Sequence, residues 1–274
     1  MDEYGSKGDG EVLFQFNKAI IDTTADIAGF YKLQSAFYEA CGSEGFIAQQ
    51  RTIAYLNAKF PATPTISDSK RADIDNTNLG YAYAIFDQLG FDAVTIHPYL
   101  GFKALAPFFD HKEKGKIILC RTSNEGAGEF QDLFTLEFDP NDQPEGMDDA
   151  KWLGILKEMA MPLFMRVARN VNSFWNTNGD CYLVVGATYP EEAAKIRVAV
   201  TDLGYLIPGI GAQTKGGSVP DAIRAAVAAS KNKQNQGMII NNSRAVIFAS
   251  SGPDFAEVAR QRLIEMHETI TQCL

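Results

Sequence analysis

Within SDSKRADIDNT, residues 67–77, two aspartates bracket a lysine: Asp68, Lys70 and Asp73. An ammonium flanked by carboxylates is held ionised by its neighbours, and it can stabilise or protonate negative charge that develops on a substrate. On an extended strand Asp68 and Lys70 lie two apart and share a face, while Asp73 follows where the chain has turned into a loop. Lys32 interrupts the apolar run AGFYKL one strand earlier, from where its ammonium reaches toward Asp68 across adjacent strands. If the shared face is a barrel interior, the four residues make an alternating charge array at its mouth; on an exposed loop they are a solvated turn of mixed charge. Charges set directly after an apolar strand favour the first arrangement, because burying them is costly unless they are paired.

The C-terminal third offers groups that bind anions. Pro208-Gly209-Ile210-Gly211 leads to Gln213, and its glycines let backbone N–H groups approach a ligand closely; Asn241-Asn242-Ser243 leads to Arg244, whose planar fork suits a phosphate. The alternative is a tight turn followed by an ordinary surface arginine. Thr122, Ser123 and Asn124 follow KIILCR and place hydroxyl and amide groups at another strand end, able to read the edge of a planar heterocycle or to cap the next element. His97 and Tyr99, closing AVTIHPY, are weaker candidates.

Seven short apolar or β-branched runs are predicted strands, at 29–34, 64–70, 93–99, 116–123, 181–188, 205–211 and 237–244. Several are nearly continuous apolar runs, as expected of a parallel sheet covered by helices. Helical periodicity occupies 12–27, 43–59, 77–89, 102–109, 151–172, 190–203, 219–230 and 254–272. The alternation predicts an α/β fold, a (β/α)8 TIM barrel with seven recognisable parallel strands and the N-terminal strand missing. The whole chain, 1–274, is expected to form one domain, with 1–11 flexible. Two connections, 124–150 and 212–236, exceed what a plain βα loop needs; they suit binding loops, lids or tolerated insertions, and Gly216-Gly217 could hinge the second.

The formal net charge of −9 argues against nucleic acid as a partner, since phosphate backbones are held by clustered positive charge. Four scattered cysteines and three histidines show no ligand spacing, so no metal is expected. The sequence has neither a basic, then apolar leader nor a run of about 20 apolar residues, so a cytoplasmic protein without a membrane partner is expected.

The pattern Asp68-x-Lys70-x-x-Asp73-Ile74-x-x-Thr77, with YKLQSAFYEACG around Lys32, RTSNEGAGEF at 121–130, PGIGAQ at 208–213 and NNSRAVIFAS from Asn241, resembles orotidine 5′-monophosphate decarboxylase, in its longer, bacterial-type subgroup. The blocks run in family order from about residue 12 to the end. The resemblance implies cofactor-free decarboxylation of orotidine monophosphate (OMP) to uridine monophosphate (UMP) in de novo pyrimidine synthesis. It implies a charged tetrad of Lys32, Asp68, Lys70 and Asp73, in which Lys70 protonates C6 of the pyrimidine. It implies substrate contacts from Ile74, Thr77, Ser123, Asn124, Gln213 and Arg244, and a homodimer in which Asp73 and Thr77 reach the partner's site. Two features depart from the family: no Gly-Leu-Asp-Pro-like opening strand is present, and Glu125 stands where proline is usual. The competing readings are a magnesium-dependent phosphate-sugar decarboxylase or aldolase on the same barrel, and a UMP-binding remnant with impaired turnover.

Overall fold

The structure, a computed structural model, describes residues 9–137, 139, 142–211 and 218–274. Seven strands form one parallel sheet: β1 (Tyr31–Gln34), β2 (Thr65–Arg71), β3 (Ala93–Ile96), β4 (Gly115–Arg121), β7 (Cys181–Val185), β8 (Gly204–Ile207) and β9 (Met238–Ile240). They are neighbours in chain order, and among the described residues no strand joins β9 to β1. The expected strands are thus the sheet strands: β1, β3, β7 and β9 are shorter than expected, β2 runs one residue further, and β4 and β8 begin one residue earlier; the fold is of the TIM-barrel type, with seven parallel strands among the described residues. A further pair, β5 (Phe134–Thr135) and β6 (Met161–Pro162), runs antiparallel. It organises the long acidic connection, which sequence periodicity alone leaves as a loop.

The helices are α1 (Gly10–Thr24), α2 (Ser35–Glu39), α3 (Gly42–Lys59), α4 (Asp75–Ala82), α5 (Gly101–Phe109), α6 (Gly128–Gln131), α7 (Asp149–Met159), α8 (Leu163–Asn170), α9 (Pro190–Ala199), α10 (Val219–Ser230), α11 (Arg244–Ile247) and α12 (Phe255–Thr271). The single helix expected over 151–172 is two, α7 and α8, because Pro162 offers no N–H to continue the helical ladder and sits extended in β6. Residues 1–8 of the segment expected to be flexible lie outside the described residues. Its described end is helical: Asp9 caps α1, its carboxylate accepting from the N–H groups of Glu11 and Val12.

Along each strand, side chains alternate between two apolar environments. Ile66, Ala93, Ile117, Val184 and Leu206 form a small buried cluster on the inner face. Val94, Ile96, Ile118, Leu183, Tyr205 and Ile207 point outward into the larger core beneath the helices. Both faces being apolar explains why the runs read as continuous. Toward the C-terminal ends of β1, β2 and β3 the inner face turns polar, with Lys32, Gln34, Asp68 and Thr95. At the opposite end Lys116, fully buried, is pinned by Asp180 at 2.7 Å and by the carbonyls of His111 and Lys114. No helix among the described residues is long and apolar enough to cross a membrane.

Candidate active site

The parallel register sets Lys32 beside Ile66 and Gln34 beside Asp68, so both inward side chains of β1 flank the Asp68 carboxylate. Lys32 Nζ lies 2.6 Å from Asp68 Oδ2, and Lys70 Nζ lies 2.6 Å from Oδ1. Gln34 Nε2 donates to Oδ2 at 3.2 Å, and the Thr95 hydroxyl donates to Oδ1 at 3.0 Å. Burial works against an ionised Asp68, but the charges of Lys32 and Lys70 and their hydrogen bonds outweigh it, holding the carboxyl below its ordinary value. The two ammoniums are not equivalent: the Lys32 side chain is 10% exposed, whereas that of Lys70 is 46% exposed. Lys32 is therefore locked against Asp68, and Lys70 is the cation open to a ligand at the mouth.

Lys70 reaches this position through its backbone. The pairing of β2 with β3 shifts register between Ser67 and Arg71, and Lys70 takes a φ of +48°, the left-handed region that a lysine seldom adopts. Its N–H donates to the Thr95 hydroxyl at 2.9 Å. Thr95 thus fixes both the carboxylate and the residue that carries the exposed ammonium. Neither Thr95 nor Gln34 was expected from the sequence as a site residue. Gln34 was traceable as the residue two beyond Lys32 on the same face; Thr95 looks like any β-branched residue of a buried strand.

Asp73 does not join this cluster within the chain. Its carboxylate accepts from the N–H of Ile74, and the Asn78 side chain bridges its backbone to the Ala104 carbonyl. Ile74 and Thr77 are exposed at the start of α4. Ile74, Leu79 and Tyr83 are each more than half exposed there, and Tyr99, before the adjoining α5, is 88% exposed. His97 stands at the end of β3, tied by its N–H to the Arg71 carbonyl.

Beyond β4, the Gln131 side chain ties the turn down. Its oxygen accepts from the Thr122 N–H at 3.0 Å and from Arg121, and its Nε2 donates to the Thr122 hydroxyl at 2.8 Å. Thr122 in turn donates to Asn124 Oδ1, so the Asn124 amide is spent inside the turn. Arg121, 2% exposed, stacks on Tyr189 with its guanidinium carbon 3.7 Å from the ring centre. Ser123 packs on Gly186, where an added Cβ would come within 2.7 Å of its backbone. The residue at 186 must therefore be glycine for the turn to lie against the sheet.

At the far side, Gly209 and Gly211 have φ of +96° and +91°, as the sequence required of a close-approach loop. Gln213 and the Gly216-Gly217 hinge lie outside the described residues. Arg244 opens α11, exposed and with no ion pair among the described residues. The Asn242 amide nitrogen is buried near Gly211 with no hydrogen-bond acceptor among the described residues. Donors without acceptors and an unpaired cation suit an anion at this spot. No group of three or more potential metal-ligating side chains occurs among the described residues.

Residues 15–260 match the Orotidine 5'-phosphate decarboxylase / HUMPS family. The chain is 42% identical over 260 residues to an orotidine 5'-phosphate decarboxylase of Cellvibrio japonicus, covering 95% of this chain and 84% of that protein. It is 40% identical over 253 residues to the enzyme so named in Herpetosiphon aurantiacus, covering 92% of this chain and 82% of that one. Among solved structures it resembles Leishmania donovani OMP decarboxylase, with a TM-score of 0.75, 29% identity and coverage of 96% of this chain and 90% of that one.

Proposed function

Because the chain belongs to the orotidine 5'-phosphate decarboxylase / HUMPS family, we propose that the cluster at its barrel mouth converts OMP to UMP and carbon dioxide without a cofactor, with Lys70 as the proton donor. The C6–carboxylate bond breaks, its electron pair stays on C6 as carbon dioxide leaves, and the Lys70 ammonium gives C6 a proton, which it later recovers from water. That carbanion has no adjacent electron sink, so a cation fixed beside it in advance is what lowers the barrier. The observation that carries this reading is the Asp68 carboxylate held between two ammoniums of which only Lys70 is open to the mouth.

Asp68 stands against the substrate carboxylate and disfavours it relative to the departing neutral carbon dioxide, and Lys32 links Asp68 to the ribose. Ser123 contacts the pyrimidine, while Gln213 and Arg244 hold the phosphate together with Asn242. Asn124, expected as a substrate contact, serves as a strut of the turn. Asp73, Ile74 and Thr77 complete the site of a second copy in a cytoplasmic homodimer; the apolar exposure of Leu79 on α4 and of Ile74 and Tyr83 at its two ends supports such an interface.

The test follows the ultraviolet absorbance of OMP with the intact protein and with Lys70→Ala. The expected result is a steady change with the intact protein and a loss of at least about a thousandfold in the variant, at the scale of a lost general acid. Tight UMP binding by the intact protein with no absorbance change would instead mark a binding remnant. A strict magnesium requirement would move the chain to the metal-dependent branch of the barrel.

A further inference from the structure

The turn that follows β4 is held from two sides. On one side Gln131 accepts from the Thr122 N–H. On the other lies the turn after β7, which the Tyr189 N–H closes by donating to the Gly186 carbonyl at 3.3 Å. The two turns meet at three points. The Gly186 N–H donates to the Arg121 carbonyl at 2.7 Å, the Thr188 hydroxyl donates to the Ser123 carbonyl at 3.2 Å, and the Tyr189 ring covers the Arg121 guanidinium. Arg121 is a firm anchor, being buried and paired with Asp132 at 3.2 Å. The backbone is thus fixed on both sides of Ser123, whose own N–H and hydroxyl have no partner among the described residues. From Asn124 to Gly126 the turn is exposed.

We propose, resting on the pyrimidine contact assigned to Ser123 above, that Thr188 is a positioning residue for base recognition. By holding the Ser123 carbonyl it aims the Ser123 N–H and hydroxyl, and so sets the preference for a uracil-type ring edge over a cytosine-type one. A backbone N–H only donates, whereas a hydroxyl both donates and accepts. A uracil-type edge sets a carbonyl acceptor beside a ring N–H donor, and both find a complement in this pair. A cytosine-type edge sets an amino donor where the carbonyl was, so two donors face each other and one is left unpaired, which is costly away from water. Such discrimination depends on direction, because a hydrogen bond weakens steeply once its angle closes below about 120°. A Ser123 backbone free to rotate would satisfy either edge. Thr188 acts through Ser123, with its hydroxyl spent on the carbonyl.

The probes are UMP, cytidine monophosphate and ribose 5-phosphate, titrated calorimetrically into the intact protein and into Thr188→Val, which keeps the side chain's shape and removes its hydroxyl. Ribose 5-phosphate carries the sugar and phosphate without a base. The preference for UMP over cytidine monophosphate is expected to fall about threefold to tenfold in the variant, the scale of one hydrogen bond, with ribose 5-phosphate affinity kept within about twofold. Thr188→Ser returns the hydroxyl and should restore the preference. Tyr189→Leu uncovers Arg121 at the other end of the same turn and should lower the preference likewise; it gives the reading should the valine variant fail to fold. An unchanged preference in Thr188→Val, or in Tyr189→Leu where valine does not fold, overturns the proposal. An equal loss for all three ligands marks general loosening and also overturns it, as does an intact protein that binds UMP no more tightly than cytidine monophosphate. An intact protein that prefers UMP but leaves OMP unconverted overturns the decarboxylase reading alone, and one that binds neither nucleotide overturns both.

Discussion

Replacing Thr95 by valine removes one hydroxyl and almost no volume from a residue that is 1% exposed. The hydroxyl makes two bonds that matter: it donates to Asp68 Oδ1 at 3.0 Å and accepts from the Lys70 N–H at 2.9 Å. A hydrogen bond to a charged group contributes about 1.5–3 kcal/mol, and an orphaned buried N–H costs about 1–3 kcal/mol. Some of the second is recovered if the Lys70 backbone leaves its left-handed conformation, but that movement carries the ammonium away from its place. If even the first loss is felt at the transition state, kcat falls by about 10-fold to 150-fold. KM should change little, since the phosphate-binding groups lie on other strands. The same loss should lower the melting temperature by about 3–12 °C, at roughly 2–4 °C per kcal/mol for a chain of this size. Thr95→Ser restores the hydroxyl and should recover most of both losses. Turnover of OMP by Thr95→Val within about twofold of the parent, with melting unchanged, would refute the claim that Thr95 positions the pair.

Four other outcomes are expected. Lys116→Met leaves Asp180 buried without its cation and should destabilise by about 3–5 kcal/mol in denaturant unfolding, with kcat of the folded fraction preserved because the pair lies at the end remote from the site. Gln131→Ala frees the Thr122 turn and should raise KM for OMP at least about threefold while leaving the Lys70→Ala phenotype intact; unchanged KM would remove Gln131 from the site's support. The Asp68 carboxyl is held below its ordinary value, so the stability it contributes is complete above the unfolded aspartate value of about 3.9 and is lost as pH falls through the lower folded value. The stability gap between the parent and Asp68→Asn, measured by denaturant midpoints, should therefore stay level from neutral pH down to about pH 4 and close only below it. If Asp73 completes the site of a second copy, as proposed, Leu79→Asp, at an exposed apolar position on α4, should shift sedimentation toward the monomer and depress turnover together.

How far the sequence could be read depended on whether a residue's role was local. Apolar runs such as KIILC and CYLVV are strands because both of their faces are buried, and that signal is contained within five residues. Lys32, Asp68 and Lys70 were legible because charges that break apolar runs are expensive unless they meet. The β5–β6 pair was not, since two residues on each side carry no periodicity and hold together only through distant packing. Thr95 was hidden for a related reason: its type is what any buried strand prefers, and only the register between β2 and β3 reveals that its hydroxyl meets Asp68. Asn124 is a different case: its position beside Ser123 suggested a ligand contact, and the structure adds a bond from the Thr122 hydroxyl to its amide oxygen, which no sequence pattern foretold.

The period-two rule placed Asp68 and Lys70 on one face, and the two side chains do meet, although not by that rule alone. A regular strand would project both from the sheet in parallel, with Lys70 one layer further out and its ammonium free to drift into water. The shift of register after Ser67 and the positive φ of Lys70 fold the chain back so that the ammonium closes on Asp68 Oδ1. A non-glycine residue in this region costs about 1–3 kcal/mol, and a surrounding structure must hold it there. Two interactions do so: the Lys70 N–H bonded to Thr95, and the ion pair itself. Lys70→Gly should therefore relieve backbone strain, and Lys70→Ala should keep it while losing the ion pair. If the strain is real, the glycine variant melts higher than the alanine variant, against the usual penalty of about 0.5–1 kcal/mol for glycine, while both are equally inactive toward OMP. A glycine variant that melts lower than alanine would mean that the left-handed turn is not a strained device for aiming the ammonium.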